Sequence, residues 1–175
     1  MRPWAGFSRV GPTPKRVKRR RGLPASATVW PRRRRPAVSY RHRSYLALLA
    51  EALALAGKIE EALATLGDAL AKAAISGERG CDAEIHRLRG ELTGRLPHPD
   101  PAKAEDSFRT ALAIAREQGT RGYELRAATS LARLWREEGR RGEARDLLTP
   151  VYGSFTEGFE TADLKEAKRL LDKLV

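Results

Sequence analysis

The feature that most restricts how this chain can fold is a four-position pattern that recurs three times. An alanine is followed by a large apolar residue at +4, a small or branched one at +7 and a large one at +8. It occurs as Ala62/Leu66/Ala69/Leu70, Ala104/Phe108/Ala111/Leu112 and Ala144/Leu148/Val151/Tyr152, spaced 42 and 40 residues apart. Steps of three and four put such residues on one face of a helix. A small side chain lets a neighbouring helix approach, and a large one a turn later fills the gap beside it. Two copies also share the helix ahead of the pattern. Leu49, Leu53, Gly57 and Ala62 match Leu131, Trp135, Gly139 and Ala144 at the same offsets. The stretch 121–155 shows the whole unit. Leu125, Ala128, Leu131, Ala132 and Trp135 share a face, Gly139 can end the helix in the left-handed conformation, and Ala144, Leu147, Leu148 and Val151 line the returning helix.

A hairpin of this size cannot bury its apolar face alone, so the copies are expected to stack. The expected fold is all-α: a right-handed solenoid of about three helical hairpins plus a C-terminal capping helix. Its helices are read over 44–57, 58–76, 82–96, 101–118, 121–139, 140–155 and 162–174. In the first, Leu46, Leu49 and Leu53 are expected along one face, with Leu48, Ala52 and Leu55 along the opposite side. That helix is apolar nearly all round, as an interior helix is, which implies packing on its N-terminal side. Asp100 and Pro101 read as N-cap and first helical residue, and Thr161 as the cap of the last helix. Pro150 is expected to kink the sixth. Sparse aromatics, 6% of the chain, argue against sheets.

Charge divides the chain in two. Fourteen of its 34 lysines and arginines lie in residues 1–43, which contain no acid, while the other 20 share residues 44–175 with 22 acids. The net charge of +12 therefore belongs to the leader and says little about the folded part. Residues 1–43 hold six prolines and sustain no helical or strand period, so they are expected to be a disordered basic leader ahead of a helical domain over 44–175. Two clusters stand out, Lys15, Arg16, Lys18, Arg19, Arg20 and Arg21, then Arg32, Arg33, Arg34 and Arg35. Three readings of the leader stay open. It is a nucleic-acid arm releasing counterions from phosphates, an inert solvated tail, or a stretch that is not genuine coding sequence. The last allows the chain to be a truncated remnant without an independent role.

The single Cys81 offers no disulfide framework, and no run approaches the roughly 18 apolar residues of a membrane span. The expectation is a cytoplasmic chain without membrane contact.

With helix pairs of about the right length, the chain resembles the tetratricopeptide class. Its period is longer than the usual repeat of roughly 34 residues, and the Trp-Leu-Gly-Tyr signature of the first helix is absent. The resemblance sharpens over AEIHRLRGEL (83–92), AEDSFRTALAIAREQG (104–119) and the long run ELRAATSLARLWREEG through KRLLDKL (124–174). These stretches look like the C-terminal end of bacterial signalling proteins that join a class III adenylate/guanylate cyclase domain, an AAA-type ATPase domain and a tetratricopeptide array. The match covers about residues 83–175, more weakly 44–82, and not the leader. It implies a detached repeat tail and not a cyclase, because catalysis in that family sits in upstream domains. No G-x-x-x-x-G-K-[ST] phosphate loop occurs here.

Other candidate chemistry is thin. Cys81 and His86 stand near Asp82 and Glu84, but a metal needs three or four convergent ligands and no second cluster follows. Glu105/Asp106 and Glu137/Glu138 are adjacent, so on a helix they diverge and make poor acid–base pairs. Trp135 matches Leu53 in the repeat, which reads as core. No enzyme activity, cofactor, metal or small-molecule substrate is expected. The expected partner is a protein or a second copy. The candidate contacts are Leu48, Ala52 and Leu55 on the first helix, and Arg126, Arg133 and Arg136 beside a groove for an acidic peptide. Nucleic acid is expected only through residues 1–43.

Overall fold

Glycine and proline set the corners of the chain. Gly57 and Gly139 adopt φ of 80° and 81°, a left-handed conformation that a side chain would strain. At each corner the next amide reaches back five residues: Lys58 N–H donates to the Leu53 carbonyl at 2.9 Å and Arg140 N–H to that of Trp135 at 2.7 Å. Gly57 and Gly139 themselves donate to Ala54 and Arg136, completing the paired bonds of a Schellman motif. Equivalent corners thus close in the same way 82 residues apart, as the matching offsets predict.

The computed structural model describes residues 37–77 and 79–175. These form seven helices: α1 Ala37–Leu55, α2 Ile59–Ser76, α3 Asp82–Gly94, α4 Pro101–Glu117, α5 Arg121–Glu137, α6 Arg141–Gly153 and α7 Ala162–Asp172. No strand occurs among the described residues. Consecutive helices pack as α1–α2, α3–α4 and α5–α6, and α7 lies on α5 and α6. The first members also touch in sequence, α1 with α3, α3 with α5 and α5 with α7. No described helix is long and apolar enough to cross a membrane. The basic clusters at 15–21 and 32–35 lie outside the described residues.

The recurrent pattern occupies equivalent places. Ala62, Leu66, Ala69, Ala104, Phe108, Ala111, Leu112, Ala144, Leu148 and Val151 are all buried, with Leu70 and Tyr152 packed at the margin. Trp135 is buried in the same core as Leu131 and Leu148.

Several boundaries differ from the sequence reading. Helix α1 starts at Ala37, seven residues ahead of Ser44, so the leader ends earlier than residue 43. Pro36 is the last proline of the N-terminal segment, and nothing after it opposes helix. Leu49 is exposed and so parts from Leu46 and Leu53, which are half-buried. From Tyr45 on, the buried residues of α1 are Ala47, Ala50 and Ala54, flanked by half-buried Leu46 and Leu53. Small side chains let α1 approach its neighbours closely, which turns the leucines to the edges of the contact. Thr161 stands at the N-cap of α7 but does not cap it with its side chain. Its hydroxyl donates instead to the Gly158 carbonyl at 2.8 Å. Asp100 does cap α4, accepting from Lys103 N–H at 3.0 Å with Pro101 in the first turn.

Helix α6 continues past Pro150 to Gly153. A proline there leaves the Asp146 carbonyl without its helical donor, and the exposure of Pro150 lets water supply part of the loss. Pro150→Ala is therefore expected to raise stability by about 1 kcal/mol in urea unfolding.

Candidate interaction groove and basic cleft

The first helix of each hairpin, together with α7, borders one open groove of about 360 Å³. Glu51 comes from α1, Arg87 and Glu91 from α3, Arg126, Thr129, Ser130 and Arg133 from α5, and Asp163 and Glu166 from α7. Helical spacing explains the set: 126, 129, 130 and 133 share one face of α5, as 87 and 91 share one face of α3.

Arg87 anchors the groove floor, its side chain only 7% exposed. Its Nε and Nη2 donate to the two Glu84 oxygens at 3.0 and 2.7 Å, and its Nη1 meets the Glu91 carboxylate. Burial alone would weaken the guanidinium's hold on its proton. The hydrogen bonds to Glu84, with the charges of Glu84, Glu91 and Glu51, reverse this and hold its pKa above the ordinary value. Ser130 Oγ donates to Glu91 Oε1 at 3.0 Å. Arg126 Nη2 lies 2.9 Å from Glu84 Oε1, and its Nε 3.9 Å from Asp163 Oδ1. Arg133 lies 3.9 Å from Glu91 and pairs with Glu166.

Alternating charges thus tie α3 to α5 and α5 to α7. Arg126 and Arg133 do line a groove, but each is already matched by carboxylates. Three arginines meet four acids in the lining, so the groove is charge-balanced and not an anion funnel.

Arg136 belongs to a neighbouring cleft between α5 and α7, about 500 Å³ in volume. Its rim carries Arg133, Arg136, Lys165, Arg169 and Lys173 against a single acid, Glu166, and Ala162 and Leu170 supply apolar surface. Arg136 approaches Glu137 at 3.6 Å, and Lys165 pairs with Glu160 at 2.7 Å. Arg169 and Lys173 form no ion pair among the described residues. The cleft therefore has a cationic surplus, in a domain where acids slightly outnumber bases. Sequence reading missed Lys165, Arg169 and Lys173 as a set, although their spacing of four along α7 is a legible stripe. The Glu84–Arg87–Glu91 floor was also visible as three- and four-residue steps.

Leu48, Ala52 and Leu55 lie outside both the groove and the cleft, exposed along α1. Trp135 has the Arg140 and Arg109 guanidiniums over its ring at 4.7 and 5.2 Å. Arg140 also holds Glu105 and Glu143, each at 2.8 Å. The cluster covers the core edge with cations already paired. Cys81 is buried, and among the described residues no three His, Cys, Asp or Glu side chains converge as a metal site. Burial, then the nearby Arg89, lowers the pKa of His86 from its usual value despite Asp82.

No protein-family model matches the chain. An uncharacterized protein of Rhizobium meliloti is similar to it, 37% identical over 90 residues, which is 51% of this chain. The matched segment spans 9% of that relative's length.

Proposed function

We propose that this chain is a non-catalytic helical-repeat module of the tetratricopeptide-like class that holds an acidic segment of a protein partner in the cleft between α5 and α7. In this reading it is akin to the C-terminal tails of bacterial cyclase–ATPase signalling proteins. Three things support the repeat assignment: the alternating helix pairs, the matching burial of Ala62, Ala104 and Ala144, and the identical corners at Gly57 and Gly139. Similarity to a small part of a far longer protein suits a module that works beside other domains.

The observation that carries the binding assignment is the cleft itself. Five cations face one carboxylate over an apolar floor, and Arg169 and Lys173 form no ion pair among the described residues. An acidic peptide with one apolar side chain complements both features. Charges at such a rim steer association and are screened by salt.

The test is fluorescence anisotropy with a labelled peptide of alternating Glu and Leu, against a Gln-for-Glu control. Micromolar binding that weakens about tenfold in Arg169→Glu/Lys173→Glu, and weakens as salt rises, is the expected result. Equal binding of both peptides, or an unchanged affinity in the charge-reversed variant, would sink the assignment.

A further inference from the structure

From Tyr45 to Leu55 every exposed residue of α1 is apolar: Tyr45, Leu48, Leu49, Ala52 and Leu55, with exposed Ala56 in the turn that follows. Glu51, the one charged residue of the stretch, is half-buried at the groove. Leu48 is 58% exposed and Leu55 85%. A surface helix ordinarily shows the opposite arrangement, with its charges in water. The remaining face of α1 is occupied by α2 and α3.

We propose that this outward face pairs with the same face of a second copy of the chain, the two α1 helices running antiparallel about a two-fold axis. Spacing favours a helix as the occupant. Tyr45, Leu48, Ala52 and Leu55 follow one another at steps of three, four and three, the a/d spacing of a helix–helix seam. An antiparallel axis passing between Leu48 and Ala52 sets Leu48 against the copy's Ala52 and Tyr45 against its Leu55. Each a position then meets a d position, and the largest side chains do not collide at one level. Between Tyr45 and Leu55 the outward face carries no charge to repel its twin.

The opposite end of the stack disfavours head-to-tail growth. The outward residues of α7 include Lys165, Lys168, Arg169 and Asp172, all exposed and charged, and they offer no apolar counterpart to α1. A closed, isologous dimer satisfies the apolar face without leaving a new one open. A seam from one helix falls at or below the roughly 1,200 Å² that marks small interfaces, so the dimer is reversible, with a dissociation constant of about micromolar. This inference does not rest on the basic cleft, which lies on α5 and α7.

Sedimentation velocity of the full chain from about 1 to 100 µM tests it, with the expected result a monomer–dimer equilibrium. Leu48→Glu/Leu55→Glu should weaken the dimer about a hundredfold or more while far-UV circular dichroism stays unchanged, since both residues are exposed in the monomer. A geometric readout independent of that variant is oxidation of Tyr45→Cys/Leu55→Cys. The two positions are too far apart to join within one helix; an antiparallel seam sets position 45 against the copy's position 55 and so needs both cysteines, whereas a parallel seam would also join chains that carry Tyr45→Cys alone. A wild-type chain that stays monomeric throughout, a dimer indifferent to the glutamates, or cross-linking by Tyr45→Cys alone as efficient as by the pair would each overturn the proposal.

Discussion

Gly90→Ala should destabilise the protein by about 2–3 kcal/mol and lower its melting temperature by roughly 10 °C. In most helix interiors this exchange stabilises by up to about 1 kcal/mol, because glycine loses more backbone freedom on folding than alanine. Here the added methyl would sit 2.6, 2.7 and 2.9 Å from three carbons of the Phe108 ring. Real carbon–carbon contacts lie near 3.5–4 Å, so ring and helix must separate. Phe108 is 4% exposed and belongs to the core cluster, so turning its ring toward the open pocket that it and Gly90 border would cost packing contacts. The cost of overpacking, about 1–3 kcal/mol or more, therefore outweighs the gain in helix propensity. Two companions decide the cause. Gly67→Ala, at an exposed mid-helix site with nothing within 4 Å, should stabilise by up to about 1 kcal/mol. Phe108→Leu should cost less in the Gly90→Ala background than alone, since the slimmer side chain relieves the clash. Urea unfolding of the wild type, the three single variants and the Gly90→Ala/Phe108→Leu double variant measures both. Additive effects would refute the contact.

Leu66→Ala should cost about 3 kcal/mol, and its damage should stay local. Leu66 is fully buried in the cluster formed by α1, α2 and α3, and truncation leaves a cavity as well as lost apolar contact. Leu148 holds the equivalent place in a separate cluster with α5 and α7, and Leu148→Ala should cost a similar amount. What separates the two is reach. Helices α1 and α2 pack on the rest of the described chain through α3. Stability in stacked hairpins is close to a sum of units and nearest-neighbour contacts, so a weakened end hairpin opens first. Hydrogen exchange should accelerate across 45–76 in Leu66→Ala and leave the amides of α5 and α6 protected. Leu148→Ala should do the converse for α5–α7. Uniform acceleration in both variants would mean one cooperative unit.

Much of the fold was legible because its signals are local. The period of Leu125, Ala128, Leu131, Ala132 and Trp135 fixes a helix face without reference to anything distant, and those residues are buried. The corner glycines and the Asp100–Pro101 start likewise depend on a few neighbouring bonds. Misreadings came where a local rule met a tertiary choice. Leu49 obeys the same period as Leu53, yet α1 meets its neighbours through alanines, and Leu49 is left 48% exposed. Thr161 suits a cap by type, but its hydroxyl found a nearer acceptor in Gly158. The candidate arginines were read as one set. They divide instead: Arg126 is neutralised across helices in the groove, Arg133 borders both groove and cleft while paired with Glu166, and Arg136 joins it at a cleft completed by Lys165, Arg169 and Lys173 some thirty residues on.

The sequence alone determined that residues beyond the leader are helical, where the corners fall and which side chains close each hairpin, because these follow from steps of three and four and from backbone preferences at single residues. Only the tertiary structure decided which charges cancel, which cations stay unmatched between α5 and α7, why Gly90 has no room for a methyl, and that α1 turns an uncharged face outward. Those outcomes depend on the distance and angle at which separate helices meet, to within an ångström, and no periodicity along one chain encodes that.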